Sequence, residues 1–191
     1  MPRPTTLDLT AAEQPWREVP MPGANQGLRV VPLASAGSTF AILTRFPEGF
    51  GRLTPGGYRC AEEFLVLDGH LQIEGRTFAR GDLTYIPAGF LRTSMIAPEG
   101  CTALAWFGGP ATFVEADELG QDAVGEGIES IHIDALLEAD LLVTSEARWS
   151  VGALAAAEHD DTVDLGLTRW SHGEHPVQDG SGLVLRRTPI A

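Results

Sequence analysis

Between Leu28 and Phe107 no regular pattern lasts more than a few residues before a glycine or proline interrupts it. Leu28-Arg29-Val30-Val31-Pro32 and Phe40-Ala41-Ile42-Leu43-Thr44-Arg45-Phe46 are β-branched or aromatic runs, divided by the turn material Ser35-Ala36-Gly37-Ser38. Glu63 to Leu67 is nearly continuous and apolar, as a strand buried on both faces or lining a cavity would be. Asp68-Gly69 reads as a hairpin turn whose glycine takes a positive φ, and Leu71 to Phe78 alternates inward and outward around a second glycine turn. Gly81-Asp82 marks another turn, Leu83 to Ile86 another strand, and Thr102 to Phe107 closes the set. At least six short strands at eight-to-twelve-residue spacing predict an all-β fold, a small antiparallel barrel or jelly roll.

Composition agrees and excludes some partners. Twenty-two glycines and thirteen prolines favour a β-rich chain with many turns. A formal net charge of −13 argues against nucleic acid, whose binding relies on Lys and Arg displacing counterions from phosphates. The acidity gathers after residue 114, in Glu115, Asp117, Glu118, Asp122, Glu126, Glu129, Asp134, Glu138 and Asp140, and reads as a solvated face. No apolar run approaches the ~18 residues that span a bilayer, and no signal-peptide core opens the chain, so a cytoplasmic protein with no membrane partner is expected. Cys60 and Cys101 are then expected to be free thiols.

The chain divides by pattern into an N-terminal arm at 1–27, a barrel at 28–110 and a C-terminal extension at 111–191. In the arm, Leu7 and Leu9 alternate before Pro15, Pro20, Pro22 and Gly23 break any helix. The stretch from Ile128 to Leu142 mixes a short strand with a helical stripe, and Val163 to Trp170 reads as a strand. At a shift of 124 residues, Leu43-Thr44-Arg45-Phe46 aligns with Leu167-Thr168-Arg169-Trp170, and Leu7 and Leu9 with Ile131 and Ile133. Such a likeness is either chance or the opening of a second barrel. On both readings the extension is too short to close a barrel of its own and packs on the first barrel or on another subunit.

Two motifs carry a family resemblance. Glu62 and Gly69 have six residues between them and follow Gly56 and Tyr58, and Gly81, Pro87, Gly89 and Arg92 follow the spacing glycine, five residues, proline, one residue, glycine, two residues. Together these resemble the two motifs of the cupin family, over roughly residues 5 to 110. The pairs Glu62-Glu63 and Gly100-Cys101 are similar to the subgroup that includes the zinc-binding sensory domains of some anti-sigma factors and several small dioxygenases. The resemblance implies a cupin-type antiparallel jelly-roll barrel, with pairing through N-terminal strands into a homodimer. It also implies a divalent metal on two histidines, a glutamate and a third histidine. Here the histidine positions are Gly56, Tyr58 and Arg92, and only Glu62 keeps the family's ligand.

A single carboxylate cannot replace that ligand set, and a guanidinium stays charged and cannot ligate a cation. The expectation is a site with no metal and no cofactor, in which Arg92 pairs with Glu62 across the barrel. Arg92 then either satisfies a vestigial carboxylate or presents its fork to a substrate carboxylate, enolate or phosphate while Tyr58 or Glu62 moves a proton. Tyr58, Glu62 and Arg92 are the expected catalytic residues, and Arg92, Tyr85 and Cys60 the expected substrate contacts. The leading expectation is a metal-independent isomerase, cyclase, epimerase or lyase acting on a small organic molecule. The alternatives are a small-molecule-binding or sensory domain without turnover and a metal-dependent dioxygenase with atypical ligands. Neither His172 and His175, separated by a glycine and followed by a proline, nor the isolated His70, His132 and His159 read as ligands. No Gly-x-Ser-x-Gly elbow or glycine-rich phosphate loop is present.

Overall fold

The computed structural model describes residues 2–120, 123–133, 139–153, 155–177 and 182–190. In chain order the first strands are β1 (Thr6–Asp8), β2 (Arg17–Val19), β3 (Leu28–Pro32), β4 (Phe40–Phe46), β5 (Phe50–Arg52), β6 (Gly56–Tyr58) and β7 (Glu62–Ile73). There follow β8 (Arg76–Ala79), β9 (Asp82–Ile86), β10 (Met95–Ala97), β11 (Cys101–Phe107), β12 (Phe113–Glu115) and a single helical turn, α1 (Ala116–Leu119). The last are β13 (Glu129–His132), β14 (Ala139–Val143), β15 (Ala147–Ala153), β16 (Asp161–Asp164), β17 (Arg169–His172) and β18 (Leu183–Pro189). The chain is all-β apart from α1, as the turn spacing predicts.

Contacts gather these strands into two units. The larger holds residues 15–31 and 39–132. Its main sheet runs β13-β9-β7-β11-β4-β3-β2, with β8, β10 and β5 joined to the far end of β7 and β12 paired with β6. The inward set follows the period of two: Phe64 and Val66 on β7 face the same core as Ala103, Ala105 and Phe107 on β11 and Ile42 and Phe46 on β4. Edge-to-face rings fill it, with Phe64 on Phe78 at 5.3 Å and Phe46 on Phe50 at 5.1 Å.

Asp68-Gly69 is not the hairpin turn that its residue types predict. β7 runs straight through it for twelve residues, and the reversal into β8 comes at Glu74 and Gly75, both at positive φ. Gly69 instead pairs with Cys101 on β11, beside a bulge in which Leu67 is passed over as the register slips between Thr102 and Ala103. Its φ of 71° and the Gly100 carbonyl oxygen 2.2 Å from where a Cβ would lie leave room for glycine alone. The bulge turns β7 from its partners β9 and β11 toward β8 and β10, so one strand serves both sides of the barrel.

The smaller unit holds residues 1–14, 32–38 and 133–191, built on the sheet β1-β17-β16-β18-β15-β14. Trp149, Val151, Val163, Trp170 and Leu185 are buried in it. Asp161 accepts from His172 at 3.0 Å with the Arg187 guanidinium 3.9 Å away, all three largely out of solvent. Asp164 clamps the next turn, accepting from the Thr168 and Arg169 backbone amides at 2.7 and 2.6 Å.

These units are drawn differently from the division 1–27, 28–110 and 111–191. The arm is shared, β1 pairing with β17 and β2 with β3, and the first part of the extension joins the larger unit through β12 on β6 and β13 on β9. The shift of 124 residues sets Leu43, inside β4, against Leu167, in a turn at φ 56°, so those segments are not equivalent. The helical stripe expected within 128–142 is a strand at each end, and its centre lies outside the described residues.

Candidate functional site

The two motifs meet through their backbones. Arg92 donates its amide to the Gly56 carbonyl at 2.8 Å and Gly56 returns the bond at 3.0 Å, while the Gly89 amide donates to the Tyr58 carbonyl at 2.8 Å. The two histidine positions of the first motif are thereby held against the third position in the second. Glu62 opens β7 opposite Ile86 and Phe107, in phase with the inward Phe64.

On this frame Arg92 Nη2 donates to Glu62 Oε2 at 2.5 Å, with 2% and 12% of the two side chains exposed. A charge-assisted bond of this length, shielded from water, holds both groups in place. The guanidinium also lies over the Tyr58 ring at 4.9 Å, and Tyr58 packs edge-on against Phe107 at 5.0 Å and Phe113 at 5.3 Å. Burial, and then the charge of Glu62, push the Tyr58 phenol well above its usual range. It therefore stays protonated and can donate a hydrogen bond.

A second arginine belongs to the same group and escaped the motif reading. Arg52 on β5 is fully buried, donates Nε–H to the Pro22 carbonyl at 3.0 Å and stacks on the Phe113 ring with Cζ 3.4 Å from its centroid. Among the described residues, its Nη1 and Nη2 have no hydrogen-bond partner. Desolvation lowers its pKa to about 10, with Tyr58 and Glu115 opposing the fall and Arg92 adding to it. The signal was present in the sequence: Arg52 is in phase with Phe50, so on a period of two it points inward.

A cavity of about 160 Å³ lies against the aromatic wall, lined by Met21, Pro22, Phe40, Ile42, Tyr58, Phe107 and Phe113 among others. It is almost wholly apolar, and neither Arg92 nor Glu62 lines it: Tyr58 stands between the ion pair and the space. A wider hollow of about 660 Å³ shares Val19, Pro20 and Leu28 with it and bears Arg29, Arg45 and Glu18.

The side chains present do not suit the metal that the motif spacing implies. A Cβ on Gly56 would lie 2.2 Å from the Val114 carbonyl oxygen and 2.3 Å from Phe113 Cε1, so β12 fills the space that a histidine there would need. Tyr58 is committed to its aromatic contacts and Arg92 is a cation. Among the described residues no three His, Cys, Asp or Glu side chains cluster closely enough to hold an ion.

Two of the expected contacts lie apart from this group or at its edge. Tyr85 is paired across the sheet with Glu63, one residue out of phase with Glu62, and so stands on the opposite face of β7 and β9 from the cavity. Cys60 packs against the rim of the barrel core with its thiol directed to the Pro110 carbonyl at 3.5 Å. Tyr58, Glu62 and Arg92 do come together.

No family model matches this chain, and no curated protein does. Solved structures do. A protein from Nostoc punctiforme put forward as a dioxygenase is 18% identical, with a TM-score of 0.65 over 98% of this chain and 83% of its own. Protein Ylba from E. coli is 12% identical, with a TM-score of 0.54 over 97% of this chain and 90% of its own. At such identities the likeness speaks for the fold alone, and that fold is the cupin jelly roll implied by the motifs. No described helix is long and apolar enough to cross a membrane.

Proposed function

We propose that this cupin-fold protein is a metal-independent enzyme that moves a proton on a small organic substrate held in the apolar space beside Tyr58. The observation that carries the reading is the Arg92–Glu62 pair, closed off from bulk water yet one ring away from that space. Arg92 engages Oε2 and leaves Oε1, which takes a proton from a carbon next to a carbonyl when the Tyr58 ring turns aside and opens the space to Glu62. The C–H electron pair then moves to the carbonyl oxygen, where the protonated Tyr58 phenol donates a hydrogen bond to the enolate. Return of the proton to a different carbon, or to the other face of the same one, completes an isomerisation or epimerisation with no redox change.

The seclusion of Arg92 behind Tyr58 favours a second reading, a small-molecule-binding domain without turnover. Proton exchange separates the two. Enolisable acids and ketones incubated in heavy water with wild-type protein should exchange their α-protons, as followed by NMR, and Glu62→Gln should remove the exchange. Binding of the same compounds without exchange would establish the second reading. One equivalent of Zn, Fe, Mn or Ni per chain in protein purified without chelator, with activity lost on its removal, would overturn metal independence.

A further inference from the structure

Among the described residues that face the barrel core, the two buried guanidiniums Arg52 and Arg92 share one carboxylate, Glu62, while the buried Glu63 lies on the opposite face of β7. Arg92 is matched by Glu62, whereas Arg52 is fully buried, its guanidinium bonded through Nε to a backbone carbonyl and laid on a ring face, with Nη1 and Nη2 lacking a hydrogen-bond partner among the described residues. Desolvating a guanidinium without an anionic partner is unfavourable, and folding does not require one at this place. The nearest other carboxylate that influences it, Glu115, is exposed on β12 and forms no ion pair with it among the described residues. Both groups that flank Arg52, Pro22 and Phe113, also line the 160 Å³ cavity, so the arginine stands one side chain behind the cavity wall.

We propose that Arg52 is the anion-binding residue of a site for a small monocarboxylic acid with an apolar tail. The tail occupies the space among Met21, Ile42, Phe40 and Phe107, and the carboxylate takes the fork Nη1/Nη2 when the half-buried Phe113 ring swings off the guanidinium. The cavity is well below the ~300–1,000 Å³ of sites for drug-sized ligands, which limits the tail to a short chain or one small ring. A planar carboxylate is the geometric match for a guanidinium edge with two free donors. Outside, Arg29 and Arg45 in the adjoining hollow outnumber Glu18 and favour approach of an anion. The inference deepens the enzyme reading by naming its substrate class, yet it concerns binding alone and holds equally for a protein without turnover.

Its test is a matched series of acids and their amides, hexanoate with hexanamide and benzoate with benzamide, titrated by calorimetry into wild type, Arg52→Met, Arg52→Lys and Glu62→Gln. Acids should bind wild type roughly tenfold to hundredfold more tightly than the amides, the worth of charged hydrogen bonds. Arg52→Met should remove that preference while keeping amide binding, which also shows that the variant is folded. Arg52→Lys should retain part of the preference, and Glu62→Gln should leave it intact while abolishing proton exchange. Equal binding of acids and amides to wild type, no binding of either, or a preference that survives Arg52→Met would overturn the proposal. Loss of exchange with acid preference intact, or the reverse, separates failure of the catalytic reading from failure of this one.

Discussion

Replacing Arg52 by Met should make the protein more stable at neutral pH. The fall of the guanidinium pKa to about 10, net of the opposing influence of Tyr58 and Glu115, corresponds to a cost on the order of 3 kcal/mol for keeping the charge in the barrel wall. The folded value lies below the unfolded one, so this cost is complete at pH 7 and is relieved only as pH rises through about 10. Against it stand the stack on Phe113, about 1 kcal/mol, and the hydrogen bond to the Pro22 carbonyl, also about 1 kcal/mol. Met keeps the apolar stem and the contact with the ring, so the net gain is about 1 kcal/mol. For a chain of this length that is a rise of about 2–4 °C in Tm. Urea unfolding at pH 7, followed by tryptophan fluorescence, to which Trp106 in β11 contributes from the larger unit, would measure it. A midpoint that rises with an unchanged m-value is the expected result. A loss of about 2 kcal/mol or more would refute the reasoning, because it would mean that Arg52 is held by interactions strong enough to make it structural.

Other substitutions test the rest of the site. Gly56→Ala should cost about 1–3 kcal/mol by overpacking β6 against β12, and combining it with Phe113→Ala should recover only the part due to the ring, since the Val114 carbonyl remains 2.2 Å from the new Cβ; thermal melts of the two variants would show this. Glu62→Ala strands a guanidinium that is 2% exposed and should destabilise by about 3 kcal/mol, whereas Glu62→Leu with Arg92→Met should unfold close to wild type in urea. Burial, with Asp68 adding to it, pushes the Cys101 thiol up to about 12, so a thiol reagent at pH 8 should titrate Cys60 alone in the native protein and both thiols after denaturation.

The fold was legible because it rests on local features. Turn residues at short intervals, runs such as Phe40 to Phe46 and the spacing from Gly81 to Arg92 specify strands and reversals whichever partners they later meet. The pairing of Arg92 with Glu62 was legible for a related reason: the motif spacing places both positions at one end of the barrel, and opposite charges there require each other. Tyr85 misled because its nearness to the motif in sequence says nothing of phase. Paired with Glu63 rather than Glu62, it emerges on the far side of the sheet. Asp68-Gly69 misled because a dipeptide suited to a hairpin is equally suited to a bulge, and only the partner strand β11 decides which one forms.

From the sequence alone one could determine a β-barrel of cupin type and the absence of histidines at three positions where that family places them. Tertiary structure decided what fills their place. The chain beyond the motifs returns as β12 to press Phe113 and Val114 onto Gly56, and β5 brings Arg52 under the same ring. Those contacts set residue 113 on residues 52 and 56, about sixty positions earlier in the chain and beyond any periodicity, and their energies arise from exclusion of water and close packing, which exist only once the barrel has closed.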